Sequence, residues 1–304
     1  MTTAASLART VWHHPENRRR RVRSLSRLVA WQVWERTVRS PWSVRMPSGL
    51  RLRCYPHSSA ASGVIYFGLP DWWEMHFLLD YLRAGDAFVD VGANVGVYSL
   101  LAAGLEGVDV VAFEPSPVPR SRLLENLNLN ALTSVTACPW AVGSETREVA
   151  MTVGSDTTDR VVAGPSGREA VAGPSGDPKR ERVELVDQVT LDGQLDGGAL
   201  DDLSVALVKI DVEGLEADVL RGAGRLIESR RPVLLIENNA PNAVAGILGP
   251  AGYSFYRYDP PTRSLVAIDP LDTEEPNVLA CADVGAVLGR VRSEGAGTHI
   301  APIC

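Results

Sequence analysis

A chain of 304 residues with 45% hydrophobic and 22% charged residues is too apolar to be intrinsically disordered and long enough to bury a large core. The net charge of -7 is unevenly spread: Arg18, Arg19, Arg20, Arg21, Arg23, Arg27, Arg36 and Arg39 crowd the N-terminus and leave the remainder acidic, which argues against a body that tracks a nucleic-acid backbone. Cys54, Cys138, Cys281 and Cys304 show neither zinc spacing nor a disulfide framework, and neither a bilayer-spanning run nor a signal-peptide pattern is visible, so a cytoplasmic protein is expected.

Between Arg18 and Arg39, Val22, Leu25, Leu28, Val29, Val33 and Trp34 recur at helical spacing and predict a basic amphipathic helix. Its apolar stripe either packs on the domain or meets an anionic membrane face through residues 18–39. Residues 1–45 read as an extension, and removal of the first 40 is expected to leave a folded domain.

The main domain is read over 46–284. A hairpin is expected around Ser43 to Cys54 and a helix over Trp72 to Leu82, in which His76 reads as a packed histidine. After the Gly85-Asp86 break, strands and helices alternate: strands at Ala87–Val91, Val108–Phe113, Val205–Ile210 and Val233–Glu237, helices at Val97–Ala103, Pro117–Asn130 and Leu215–Glu228. That alternation predicts a mostly parallel sheet covered on both faces, with Tyr253–Tyr258 and Asn277–Cys281 as an antiparallel pair at one edge. Val-Ala-Gly-Pro-Ser-Gly occurs twice between 154 and 182, which reads as a flexible surface insertion because the unit is far too short for a solenoid repeat. Residues 285–304 are Gly- and Ala-rich and are expected to be a frayed tail.

The first strand runs into Val89-Asp90-Val91-Gly92-Ala93-Asn94-Val95-Gly96 and then a helix. Gly92 and Gly96 at this turn would permit close approach of a ligand and backbone dihedrals closed to other residues, in the crevice where open α/β sheets bind nucleotides. Asn94 stands where a dinucleotide fingerprint wants its second glycine, and Asp90 would repel a diphosphate while accepting from a cationic amino group. The turn therefore favours S-adenosylmethionine over NAD. Glu114, about 20 residues past Gly92 at the end of the second strand, is placed to bind a ribose; the alternative is an acid capping the helix after it.

Together the Asp90–Ser99 turn, Phe113-Glu114-Pro115, the run Glu125 to Asn130, and Val208-Lys209-Ile210-Asp211-Val212-Glu213-Gly214-Leu215-Glu216 resemble the FkbM-type methyltransferase family, from Trp73 to about Ala282. The resemblance implies a Rossmann-like class I methyltransferase fold and O-methylation of a small-molecule hydroxyl, on a sugar or polyketide-type product; the alternatives are N-methylation, a protein or RNA acceptor, or a non-catalytic S-adenosylmethionine-binding module. For that chemistry an alcohol needs help in losing its proton. Asp211, Glu213 and Glu237 end adjacent strands and should converge on one crevice, Glu213 being the favoured base, with Asp211 next. The alternatives are that Glu213 caps the helix near Leu215, and that Asp211, Glu237 and Asn238 hold Mg²⁺. Lys209, two residues before Asp211, should share its face as an ion-pair partner.

Overall fold

The computed structural model describes residues 4–56, 58–153 and 182–293. Helix α1 (Ala4–His13) turns through a short 3-10 segment at Pro15–Asn17 into α2 (Arg21–Thr37). Buried Asn17 fixes that corner: its Nδ2 donates to the carbonyls of Val11 at 2.9 Å and Tyr66 at 3.1 Å, and Ser24 Oγ donates to its Oδ1 at 2.7 Å. Val11, Leu28 and Trp31 are buried in the same apolar cluster as Phe77 and Phe88, and Leu25 and Trp34 pack against it. The arm is therefore packed on the domain, the first of the two fates its apolar stripe allowed. One stripe of α2 belongs to the core, while Val22, Val29 and Val33 remain exposed.

The expected hairpin forms from β1 (Trp42–Arg45) and β2 (Arg51–Cys54), with Trp42 opposite Cys54. Two helices follow, α3 (Ser59–Phe67), which periodicity did not reveal, and α4 (Trp72–Tyr81), as expected. His76 on α4 packs edge-on to Trp72 and places Nε2 3.3 Å from Glu16, tying α4 to the arm.

From Ala87 onward the chain alternates as predicted: β3 (Ala87–Val91), α5 (Val97–Ala103), β4 (Asp109–Phe113), α6 (Pro117–Leu129) and β5 (Val135–Cys138). A small second sheet intervenes, built from β6 (Ala141–Val142), β7 (Arg147–Val153) and β8 (Arg182–Val189), in the order β6-β8-β7. The Gly-Pro-Ser repeat lies outside the described residues, between the paired ends of β7 and β8 at Val153 and Arg182.

The main sheet resumes with β9 (Val205–Ile210), α7 (Glu216–Arg221), α8 (Gly224–Arg230), β10 (Val233–Glu237), α9 (Pro241–Leu248), β11 (Ser254–Asp259), β12 (Ser264–Ala267) and β13 (Asn277–Cys281), followed by α10 (Val284–Arg292). The single helix expected from Leu215 to Glu228 is broken at Gly222, where a Cβ would overlap the Gly143 carbonyl. The eight strands run β12-β11-β13-β10-β9-β3-β4-β5, parallel from β10 to β5. β11 and β13 do pair antiparallel, but β13 is inserted beside β10 and β12 forms the true edge. This is the Rossmann-like α/β fold of class I methyltransferases, with its strand order reversing between β3 and β9.

Side-chain alternation sends Phe88, Leu207, Val233 and Leu235 into one cluster and Val89, Val208, Leu234 and Ile236 into another, so both faces of the sheet are dry. The expected frayed tail is instead helical over α10. Asp283 caps it, accepting from the Ala286 N–H at 2.9 Å, and Val287 and Val291 are buried. Arg290 fastens it further, donating from Nε to the Tyr81 carbonyl at 2.6 Å and pairing with Asp86.

Candidate active site

The carboxyl ends of β3, β4 and β9 open onto a cavity of about 370 Å³, within the usual range of small-molecule pockets. Its floor is the glycine turn. Gly92 and Gly96 adopt φ of +81° and +90°, and Asn94 sits at +52° with its Oδ1 accepting from the Val95 N–H at 2.7 Å, a conformation that asparagine tolerates through such local bonds. What presses on these glycines is the protein's own structure. A Cβ at Gly92 would overlap the Asp211 carbonyl and one at Gly96 would overlap Leu123. Gly92, Ala93 and Asn94 line the cavity, whereas Gly96 packs behind it. Asn126, fully buried on α6, braces the turn by donating to the Val95 carbonyl at 2.9 Å and accepting from the Arg53 N–H at 2.8 Å.

Glu114 reaches the cavity from the end of β4. Its Oε2 accepts from the Asn94 N–H and its Oε1 from the Ser116 N–H, each at 2.8 Å. It thus ties the start of α6 and, across the mouth, the glycine turn.

The polar heart of the site follows from strand alternation. Phe88 and Leu207 face the cluster beneath α4, so Asp90 and Lys209, two residues further along adjacent strands, face the same way. Lys209 is 7% exposed. Its Nζ donates to Asp211 Oδ2 at 2.7 Å and lies 4.9 Å from the centre of the Tyr98 ring. Burial opposes its charge, but Asp211, Asp90 and Asp71 outweigh burial and hold the ammonium above its ordinary pKa. For Asp211 burial likewise opposes ionisation, and Lys209 prevails, keeping the carboxyl below the usual range.

Asp90 is almost wholly buried; Oδ2 accepts from Ser99 Oγ at 2.6 Å, while Oδ1 has no partner among the described residues. Burial raises its pKa against the pull of Lys209. Asp71, at the start of α4, accepts from Tyr98 Oη at 2.9 Å and is also raised by burial. Glu237 is pushed up to about 8 by burial and then by the neighbouring charges of Asp211 and Glu213, and it shares a hydrogen bond with Asp211. These opposite shifts favour a neutral Glu237 beside an ionised Asp211.

Glu213 lines the cavity from its exposed lip at φ +51°, followed by Gly214 at +94°. The strand has already ended, so the extended alternation invoked for Asp211 and Glu213 does not apply, although both reach the cavity. Positive φ in a glutamate is a local strain of the kind that collects at functional sites. Helix α7 begins at Glu216, and Glu216 Oε1 accepts the Gly214 N–H at 2.8 Å.

Of the metal candidates, Asp211 accepts from Lys209 Nζ at 2.7 Å and Asn238 Nδ2 donates to the Pro270 carbonyl at 3.1 Å; no group of three or more acidic, histidine or cysteine residues among the described residues is placed to hold a metal ion. Sequence reasoning missed Asp71, Met75 and Trp140, which also line the cavity. Trp140 stands just past β5 on the carboxyl edge and would have been found had that short strand been recognised. Asp71 carries no spacing signal, because it arrives through the packing of α4.

The methyltransferase FkbM domain matches residues 90–255, more than half of the chain. The chain belongs to the FkbM methyltransferase family. The match begins at Asp90 and takes in the glycine turn, Glu114 and the Lys209–Glu213 segment, but not α1 to α4. Relatives include Methyltransferase sdnD of Sordaria araneosa, 30% identical over 162 residues, which make up 46% of this chain and 61% of that protein. The 31-O-demethyl-FK506 methyltransferase FkbM of Streptomyces tacrolimicus is 55% identical over 47 residues, 15% of this chain and 18% of that protein. The chain thus spans less than two thirds of either relative. Among solved structures, methyltransferase FkbM from Methylobacillus flagellatus KT is 17% identical with a TM-score of 0.41, over 86% of this chain and 60% of that one. No helix among the described residues is long and apolar enough to cross a membrane.

Proposed function

We propose that this chain is an S-adenosylmethionine-dependent methyltransferase whose acceptor is a hydroxyl group on a small molecule, of the sugar or polyketide type. The carrying observation is the carboxyl-edge cavity, in which a glycine turn, Glu114 and the buried Asp90 meet one end of the Lys209–Asp211 pair. The donor set suits this cofactor. The unpartnered Oδ1 of Asp90 is an acceptor for a cationic amino group, the carboxylate of Glu114 offers remaining lone pairs to ribose hydroxyls, and the half-buried Trp140 offers an aromatic face to a purine. When bound, S-adenosylmethionine supplies an electrophilic methyl group on a sulfonium.

The protein's part is to orient the acceptor and move its proton. Lys209 fixes Asp211 in the charged form, and the proton on Glu237 points that carboxylate, so Asp211 is an orienting acceptor for the substrate hydroxyl. A carboxylate held strongly ionised is a weak base, which leaves proton removal to Glu213 on the lip. Near-linear placement of the attacking oxygen supplies the rest of the acceleration. The Streptomyces relative is a 31-O-demethyl-FK506 methyltransferase, named for methylation at oxygen, which supports a hydroxyl.

The test is incubation with isotopically labelled methyl donor and a panel of glycosides and macrolide alcohols, read by product mass. Glu213→Gln is expected to bind cofactor normally and turn over about 10²-fold more slowly, the low end of general-base effects because the side chain is exposed. Label arriving on an amine overturns the acceptor class. Activity abolished by excess chelator and restored by Mg²⁺ replaces the carboxylate base with a metal.

A further inference from the structure

The two apolar stripes of α2 have different fates. Leu28 and Trp31 are buried, but Val22, Val29 and Val33 are 76%, 60% and 55% exposed. Spacings of seven and four place these valines on one face, extending about 16 Å along the helix. Ser26 and Arg36 fall on the same face, Arg23 flanks it and Arg19 lies in the turn just before the helix, all of them exposed. Eight of the chain's 30 basic residues lie in 18–39, with Glu35 as the single acid there. Arg20, Arg23 and Arg27 gather around a shallow cleft with Tyr66 and Phe67. Burial and the charges of Arg23 and Arg20 lower the pKa of Arg27, as expected of guanidinium groups crowded together.

We propose that the outer face of α2 docks on an anionic phospholipid bilayer, with Val22, Val29 and Val33 entering the interfacial layer and Arg19, Arg23 and Arg36 meeting headgroup phosphates. The argument is charge complementarity joined to an apolar centre. A basic face on an otherwise acidic protein orients it toward an anionic surface, and a valine row between arginines needs an apolar medium that a bilayer supplies just below its phosphates. A nucleic acid would satisfy the arginines and leave the valines in water. A second copy meeting this face with its own would set arginines against arginines. Because Leu28, Trp31 and Asn17 anchor α2 to the body, the face is presented as a preformed helix and no folding cost accompanies docking.

The experiment is sedimentation of the full chain with vesicles of phosphatidylglycerol and phosphatidylcholine in equal parts, beside vesicles of phosphatidylcholine alone. Binding is expected on the mixed vesicles only, weakening as salt rises. The triple variant Val22→Ser, Val29→Ser, Val33→Ser is expected to lose binding about tenfold or more with an unchanged melting temperature, and Arg19→Gln with Arg23→Gln and Arg36→Gln to do the same. Equal binding to both vesicle types, or valine variants that bind normally, overturns the proposal. So does displacement by millimolar inorganic phosphate at matched ionic strength, which would indicate a free-phosphate site, or preferential retention on a duplex oligonucleotide. Self-association in sedimentation velocity that the valine changes abolish overturns it in favour of a second copy. These readouts are independent of methyl transfer.

Discussion

Lys209 and the arginines of α2 carry the same charge in opposite settings. Lys209 is 7% exposed and surrounded by Asp211, Asp90 and Asp71, whereas residues 18–39 set eight arginines against Glu35 alone. A buried cation must be matched within the fold because its desolvation is too costly otherwise. Surface cations can remain in excess, and an excess beside exposed valines points outward to a partner. The first arrangement is a site that organises itself; the second is one that, in the docking proposed above, a bilayer would complete.

The largest expected effect comes from deleting residues 1–40, which removes the arginines together with Val11, Leu28 and Trp31. At about 1.5–3 kcal/mol for each large apolar side chain, this loss approaches the whole stability of an ordinary domain. The truncated chain should be unfolded or insoluble by circular dichroism and gel filtration, and a soluble, cooperatively melting product would show that the arm is an appendage after all. Lys209→Met comes next. It leaves Asp90 and Asp211 without their counter-charge and is expected to cost about 3 kcal/mol in urea unfolding, the low end for an unpaired buried charge because the Asp211 side chain is 41% exposed. A neutral result would mean that the pair is dispensable to the fold.

Glu114→Ala should weaken S-adenosylmethionine binding in calorimetry by about 1.5–3 kcal/mol. Because its two oxygens also hold the Asn94 and Ser116 N–H groups, a lower melting temperature should accompany that loss. Affinity unchanged in a folded variant would remove Glu114 from the binding site.

A separate effect is that of pH. Glu237 has a folded pKa of about 8 against an ordinary 4.5, so the folded state holds a proton that the unfolded state releases. Its contribution is fully present below about 4.5 and is lost as pH rises to about 8, so stability should fall across that window and level off above it. Glu237→Gln keeps a donor for Asp211 and should flatten the slope in melting curves taken between those limits. A slope of the same size in the glutamine variant would assign the titration elsewhere.

The central α/β sheet was legible in the sequence because its strands are short apolar runs closed by turn signals. Ala87–Val91, Val205–Ile210 and Val233–Glu237 matched to the residue. The small second sheet was not, since β7 and β8 flank the Gly-Pro-Ser repeat and β6 is two residues long. Helix α3 also escaped, because Ala, Ser and Gly interrupt its apolar positions, and so did α1 and α10, which are amphipathic but only 10 and 9 residues long.

For the site, the sequence by itself determined the glycine turn, the acid at the end of β4 and the placement of Asp211, Glu213 and Glu237 at the carboxyl ends of adjacent strands, since strand direction is set by the order of the elements. Only the tertiary structure decided which acid is charged, which holds a proton and which lies exposed, because burial and the position of Lys209 set those states. Tertiary structure also brought Asp71 to the cavity and divided the apolar residues of α2 between core and surface. Helical spacing places residues on a face, but which face meets the protein depends on what else the chain packs there.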